Sequence, residues 1–194
     1  MSRTKPKKKV KPEQRRRLSR TPALIFAGII ILVVLVGWYV FSAPVTALNI
    51  GNSAPDFQLP EVTDQGLTNN KIQLSSFRGN VVVLEFMISY CPVCQQMASA
   101  VAYLNDRYSG QDVVFLSVAG TQNGASASST AQFIKDYGAT WTHVLDTDAV
   151  FREYGVQATP TYLILDRSGT ILSMFQGIIA TDAFTTAIDA ALSG

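Results

Sequence analysis

Cysteine is almost absent from this chain. There are two in 194 residues, Cys91 and Cys94, and histidine occurs once, as His143. A structural zinc site takes four ligands, and these three residues leave it incomplete. No cysteine stands directly after the long apolar run near the N-terminus, so a lipid-modified anchor is not expected. Positive charge is scarce beyond residue 20. Of 16 Lys and Arg, 16 − 10 = 6 lie there, against 14 − 1 = 13 acids, a net of −7. The sequence has no internal repeat.

What is there is unevenly placed. Residues 1–20 hold ten Lys and Arg (from Arg3 to Arg20) and one acid, Glu13. Residues 23–42 then carry no charge. Such a run, about 20 residues long, spans a bilayer core. Trp38 and Tyr39 sit near its far end, as interfacial aromatics do. The basic block sets the orientation, N-terminus in the cytoplasm and C-terminal domain outside, and it suits anionic lipid. Alone, the block would also suit nucleic acid. Its apolar neighbour favours the bilayer as partner, and no nucleic acid is expected. A cleaved signal peptide is the competing reading, with small residues at Val45-Thr46-Ala47. The apolar run is longer than a usual signal core, which favours the anchor. The expected organisation is a basic tail at 1–20, a transmembrane anchor at 21–42, a tether at 43–51 and a folded domain at 52–194. In either case the domain lies outside the cytoplasm, where disulfides persist.

Cys91 and Cys94 stand in Cys-Pro-Val-Cys at a change of period. Residues 81–87 (Val-Val-Val-Leu-Glu-Phe-Met) read as a buried strand. After Cys91, the residues Val93, Met97, Val101, Leu104 and Tyr108 recur every three or four positions, one face of a helix. Pro92 suits the first helical position. Cys91 thus falls at a helix N-terminus, which favours a thiolate. A stapling disulfide here would close a four-residue loop, worth about 2 kcal/mol against about 5 for a long one. A redox dithiol is the stronger reading.

The remaining pattern alternates strands and helices. Residues 57–59 and 72–74 flank a polar stretch and read as a hairpin or two short strands. Strands are expected at 113–118, around 143–145, at 161–165 and at 171–176. Helices are expected at 92–108, 131–137, 149–154 and 181–192. Residues 120–130 read as a polar connecting loop. The order is β-α-β-α-(β)-α-β-β-α. It predicts an α/β fold, a mixed central sheet with helices on both faces and an N-terminal strand extension, behind the transmembrane helix. Trp141 and the other aromatics read as core, and His143 as a strand-surface residue.

Four stretches carry a resemblance: Ala54-Pro55-Asp56-Phe57; Leu74-Ser75-Ser76-Phe77-Arg78-Gly79; the strand into Cys91-Pro92-Val93-Cys94; and Gly155-Val156-Gln157-Ala158-Thr159-Pro160-Thr161. In this order they resemble the thioredoxin superfamily over residues 52–192. The branch is the membrane-anchored TlpA/ResA-like thiol-disulfide oxidoreductases. The resemblance implies a thioredoxin-like fold, with Cys91 as attacking thiol and Cys94 as resolving thiol. It implies that Pro160 is a cis-proline beside the dithiol and that Thr159 offers backbone hydrogen bonds to a substrate chain, with Tyr90, Pro92 and Val93 flanking it. Glu85, a carboxylate six positions before Cys91 in an apolar strand, would pass protons to and from Cys94. Pairing with Lys71 or Arg78, or exposure, is the alternative for Glu85.

There are departures. Tyr90 replaces a frequent Trp, Val93 replaces the proline of thioredoxin, and Pro92 is similar to glutaredoxins and to the oxidant DsbA. Met97 stands where cytochrome c maturation members place a helix acid. The direction of electron flow is therefore open. The implied partners are protein disulfide or dithiol substrates and a membrane redox partner, with no cofactor or metal. Two other classes share features. A peroxiredoxin would need Pro and Thr at positions held by Leu84 and Ile88. A Sco-like copper chaperone uses cysteines separated by three residues, where two separate them here, together with a histidine, for which His143 is the one candidate.

Overall fold

The structure, a computed structural model, describes residues 20–41 and 49–194. The basic tail expected at 1–20, apart from Arg20, and residues 43–48 of the tether expected at 43–51 lie outside the described residues. The chain divides into two units, one on either side of residues 44 and 45. In the first, helix α1 (Arg20–Phe41) has 22 residues, a length of about 33 Å. Its side chains at 20–24, 27 and 39–41 are not among the described ones. Among the described residues alone, no helix is long and apolar enough to cross a membrane.

The second unit opens with a hairpin, β1 (Gln58–Thr63) and β2 (Gly66–Gln73). The central strand β3 (Val81–Met87) follows, buried at every position. Its β-branched start suits a strand covered on both faces. Helix α2 (Pro92–Arg107) buries Cys94, Met97, Ala98, Val101 and Leu104 along one stripe. Then come β4 (Val113–Ala119), α3 (Ala127–Tyr137), β5 (Thr142–Leu145), the short α4 (Val150–Glu153), β6 (Thr161–Leu165), β7 (Ile171–Gln176) and α5 (Thr181–Ser193). Helix α3 begins four residues before the expected 131. Ser126 and Ser129 form a reciprocal capping box, so a serine-rich stretch that reads as loop starts a helix.

The strands form one mixed sheet in the order β2-β1-β5-β4-β3-β6-β7. β3 is parallel to β4 and antiparallel to β6, and β4 is parallel to β5. Alternate residues of the inner strands face opposite layers. Val81, Val83, Met87, Phe115, Ile164 and Tyr162 join a core cluster with residues of α2, α3 and α5. Val82, Leu84, Phe86, Leu116, Val118 and Leu163 join a second cluster with α4 and the N-terminal segment around Phe57 and Leu74. Helices thus cover both faces, as the alternation of elements requires. β2 runs through the polar stretch 66–71, because an edge strand with exposed positions tolerates polar residues. β5 is an inner strand, since β1 pairs along its outer side with Val62 opposite His143. His143 is therefore 1 % exposed, not the surface residue its polarity suggests.

Candidate active site

β3 ends at Met87, and a short turn delivers Cys91 to the start of α2. Cys91 is the N-cap, with extended backbone, and Pro92 is the first helical residue. The Cys94 N–H donates to Cys91 Sγ at 3.3 Å, and the Cys91 thiol donates to the Thr159 carbonyl at 3.3 Å. Thr159 is joined to Pro160 by a cis peptide bond. The structure thus brings Cys91, Cys94 and Thr159 into one cluster with the adjoining Pro92, Val93 and Pro160. Both cysteines are free thiols. Tyr90 and Pro92 are exposed, Cys91, Val93 and Thr159 half-buried, and Cys94 and Pro160 buried. Tyr90 also lines a groove of about 360 Å³ with Ser89, Gln95, Ser129 and Tyr137.

The two thiols sit in opposite electrostatic settings. Partial burial alone would raise the Cys91 pKa. Hydrogen bonding by the side chains of Cys94 and Thr159, and by the backbone N–H groups of Cys94 and Val93, outweighs it and lowers the pKa. Full burial raises that of Cys94, and the hydrogen bond to Cys91 and the nearby Glu85 charge add to this. A helix N-terminus acts in just this sense on a thiol at its N-cap, here Cys91.

Glu85 lies in the middle of β3, 3 % exposed. Burial raises its pKa, and hydrogen bonding from Ser117 partly offsets the rise. Neither Lys71 nor Arg78 pairs with it. Among the described residues the one ion pair is Arg167–Asp112. Instead Ser117 Oγ donates to Glu85 Oε2. Tyr162 is its register partner in β6, and the Tyr162 hydroxyl, although beside the carboxylate, has hydrogen-bond geometry to no group among the described residues. Ser117 and Tyr162 were not apparent as site residues from sequence. The signal was there for Ser117, the single polar residue in the apolar run 113–118, as Glu85 is in 81–87.

His143 lies two strands from β3, its Nδ1 bonded to the Trp141 carbonyl at 2.8 Å. Among the described residues no group of three His, Cys, Asp or Glu side chains could hold a metal. A half-open cavity of about 560 Å³, lined by Ile134, Trp141 and His143 among others, lies beside β5 and includes neither cysteine.

The chain is similar to known proteins over the whole of this domain. The Redoxin family model matches residues 49–191. The chain is 27% identical over 174 residues to the thiol-disulfide oxidoreductase ResA of Geobacillus kaustophilus, covering 88% of this chain and 92% of that one. It is 28% identical over 172 residues to ResA of Bacillus subtilis, covering 85% and 87%. A Chlorobium tepidum structure assigned as a thiol:disulfide interchange protein DsbE superposes with a TM-score of 0.66 at 28% identity, covering 75% of this chain and 99% of that one. The chain belongs to the Redoxin family and is a TlpA/ResA-like thiol-disulfide oxidoreductase of the thioredoxin superfamily.

Proposed function

We propose that the chain is a membrane-anchored, extracytoplasmic oxidoreductase that exchanges disulfides with exported proteins through Cys91 and Cys94. The observation that carries the site reading is the asymmetry of the dithiol. Cys91 is accessible with a lowered pKa, and Cys94 is buried with a raised one. The Cys91 thiolate attacks a substrate disulfide, forming a Cys91–substrate disulfide and releasing one substrate thiolate. Cys94 gives its proton to Glu85 and attacks Cys91 Sγ. The second substrate thiolate leaves and the Cys91–Cys94 disulfide forms. The substrate gains two electrons and the dithiol loses two. Run in reverse, the same steps insert a disulfide. The substrate chain lies against Thr159 and Pro160, with Tyr90, Pro92 and Val93 around the thiol. In the reducing direction a membrane redox partner restores the dithiol.

The anchor rests on independent observations. The described side chains of α1 are exposed and apolar on all sides, including Ile25, Phe26, Ile30, Leu32, Leu35 and Trp38. Such a helix suits a membrane span. The match to Geobacillus ResA covers 88% of the chain, about 171 residues, while residues 49–194 supply 146. That relative thus aligns with at least about 25 residues ahead of the domain. Ten basic residues before the apolar run put the domain on the outer side.

The test is trapping. Cys94→Ala should accumulate a mixed disulfide with a peptide substrate that carries a disulfide, and Cys91→Ala should form none. Equal trapping by both variants would sink the assignment of roles. In intact cells a membrane-impermeant maleimide should label Cys91; labelling only after lysis would place the domain inside.

A further inference from the structure

Tyr162, Glu85, Ser117 and His143 are successive register partners across β6, β3, β4 and β5. They form a polar row on the same face of the sheet as Cys94. At its centre the hydrogen bonds have a fixed sense. Trp141 Nε1 donates to Ser117 Oγ at 2.7 Å, and an indole N–H can only donate. Ser117 has one hydroxyl hydrogen, and its other partner is Glu85 Oε2. That hydrogen therefore points at the carboxyl group. Were protonated Glu85 to donate from Oε2, the Ser117 hydrogen would be left without an acceptor, a costly state for a buried hydroxyl.

We propose that Ser117, held by Trp141, is a positioning residue that keeps Oε2 of Glu85 as an acceptor in both protonation states, so that the proton exchanged with Cys94 is carried on Oε1. This rests on the reading of Glu85 as the proton acceptor for Cys94. Ser117 has a second effect. Its hydrogen bond is stronger to a carboxylate than to a carboxylic acid. It limits how far burial raises the proton affinity of Glu85, and a permanently protonated Glu85 could accept nothing from Cys94.

The surroundings leave this role to Ser117. Cys94 approaches Glu85 from the start of α2 and Tyr162 from β6, with Cys91 beyond them near Tyr162, while α5 contributes the apolar Phe184 and Ile188. From β5, His143 stands one strand beyond Ser117. No Lys or Arg among the described residues pairs with the carboxylate.

The experiment follows the Glu85 carboxyl directly, by NMR titration of the full-length chain in detergent with carboxyl-labelled glutamate, its signal assigned through Glu85→Gln. Ser117→Ala should move the Glu85 midpoint up by about one pH unit. Ser117→Thr, which keeps the hydroxyl, should restore it. Trp141→Phe keeps a ring and removes only the N–H; it should move the midpoint up by less than Ser117→Ala. An unmoved midpoint in Ser117→Ala overturns the proposal. Should that variant fail to fold, an unmoved midpoint in Trp141→Phe overturns it equally. The pH profile of disulfide exchange separates the two ideas. If Glu85→Gln leaves that profile unchanged, the proton-acceptor reading of Glu85 fails. If Glu85→Gln shifts it while the Ser117→Ala midpoint stays put, only the role of Ser117 fails.

Discussion

The two faces of the central sheet are built from the same strands and differ in what they bury. On one face β3 to β6 present Leu84, Phe86, Leu116, Val118, Val144, Leu163 and Leu165, all apolar, against α4 and the N-terminal segment. On the other, the same strands interrupt their apolar residues with Glu85, Ser117, His143 and Tyr162, beneath the helix that carries Cys94. A buried carboxylate and an orphaned imidazole nitrogen cost stability. The apolar face offsets that cost and takes no part in the chemistry. One pleated strand can do both because its side chains alternate.

The largest expected effect breaks the apolar face alone. Phe86 is fully buried, edge-on to Phe151 at 5.3 Å and tilted against Tyr154 at 4.9 Å. Phe86→Ala should destabilise the domain by about 3–5 kcal/mol in denaturant titration. Disulfide exchange per folded molecule should keep its rate and pH profile. A shifted profile would mean that the two faces are coupled through β3.

On the polar face the expected effects depend on pH. Burial lowers the His143 pKa to about 4 from an ordinary 6.5, while the bond to the Trp141 carbonyl pulls the other way. The unfolded chain therefore binds a proton near pH 6.5 that the folded chain refuses. Stability should fall as pH drops from about 6.5 to about 4, by about 3 kcal/mol in all. His143→Gln should flatten this slope relative to wild type. Glu85 has the opposite sign. Its folded pKa is raised, so its protonated form favours the fold at low pH, and that contribution is lost as pH rises through the folded value. Glu85→Gln should therefore gain on wild type as pH rises. Parallel pH slopes in wild type and both variants would show that neither group is as desolvated as its burial implies.

The fold and the dithiol were legible in sequence because each left a local mark. Three valines and an apolar run announce β3, and Pro92 with the stripe from Met97 to Leu104 announces α2. The place of Pro160 came from resemblance to a family motif. What escaped were properties set by neighbours. His143 is buried because β1 pairs outside β5, a pairing distant in sequence. Ser117 and Trp141 bear on Glu85 only through strand order. Helix α3 was cut short because serines read as loop until two of them cap each other.

The smallest prediction sharpens the comparison by strengthening the apolar face. Ala149 adopts a left-handed conformation, φ 61° and ψ 35°, just before α4. It is held there by its carbonyl, which accepts the N–H groups of Arg152 and Glu153. The Asp146 carboxylate fixes the same turn by accepting from Val150 at 2.9 Å and Phe151 at 3.0 Å. An L-residue in this region carries about 1 kcal/mol of steric cost. Glycine removes that cost but has more unfolded-state freedom to lose. Ala149→Gly should therefore stabilise the domain by about 0.5 kcal/mol, a small rise in denaturation midpoint. Val150 and Phe151 belong to the apolar cluster, so exchange through Cys91 should not change. A lower midpoint would mean that the Ala149 methyl packs more than it strains. A changed exchange rate would mean that α4, on the face away from the thiols, nonetheless sets their geometry.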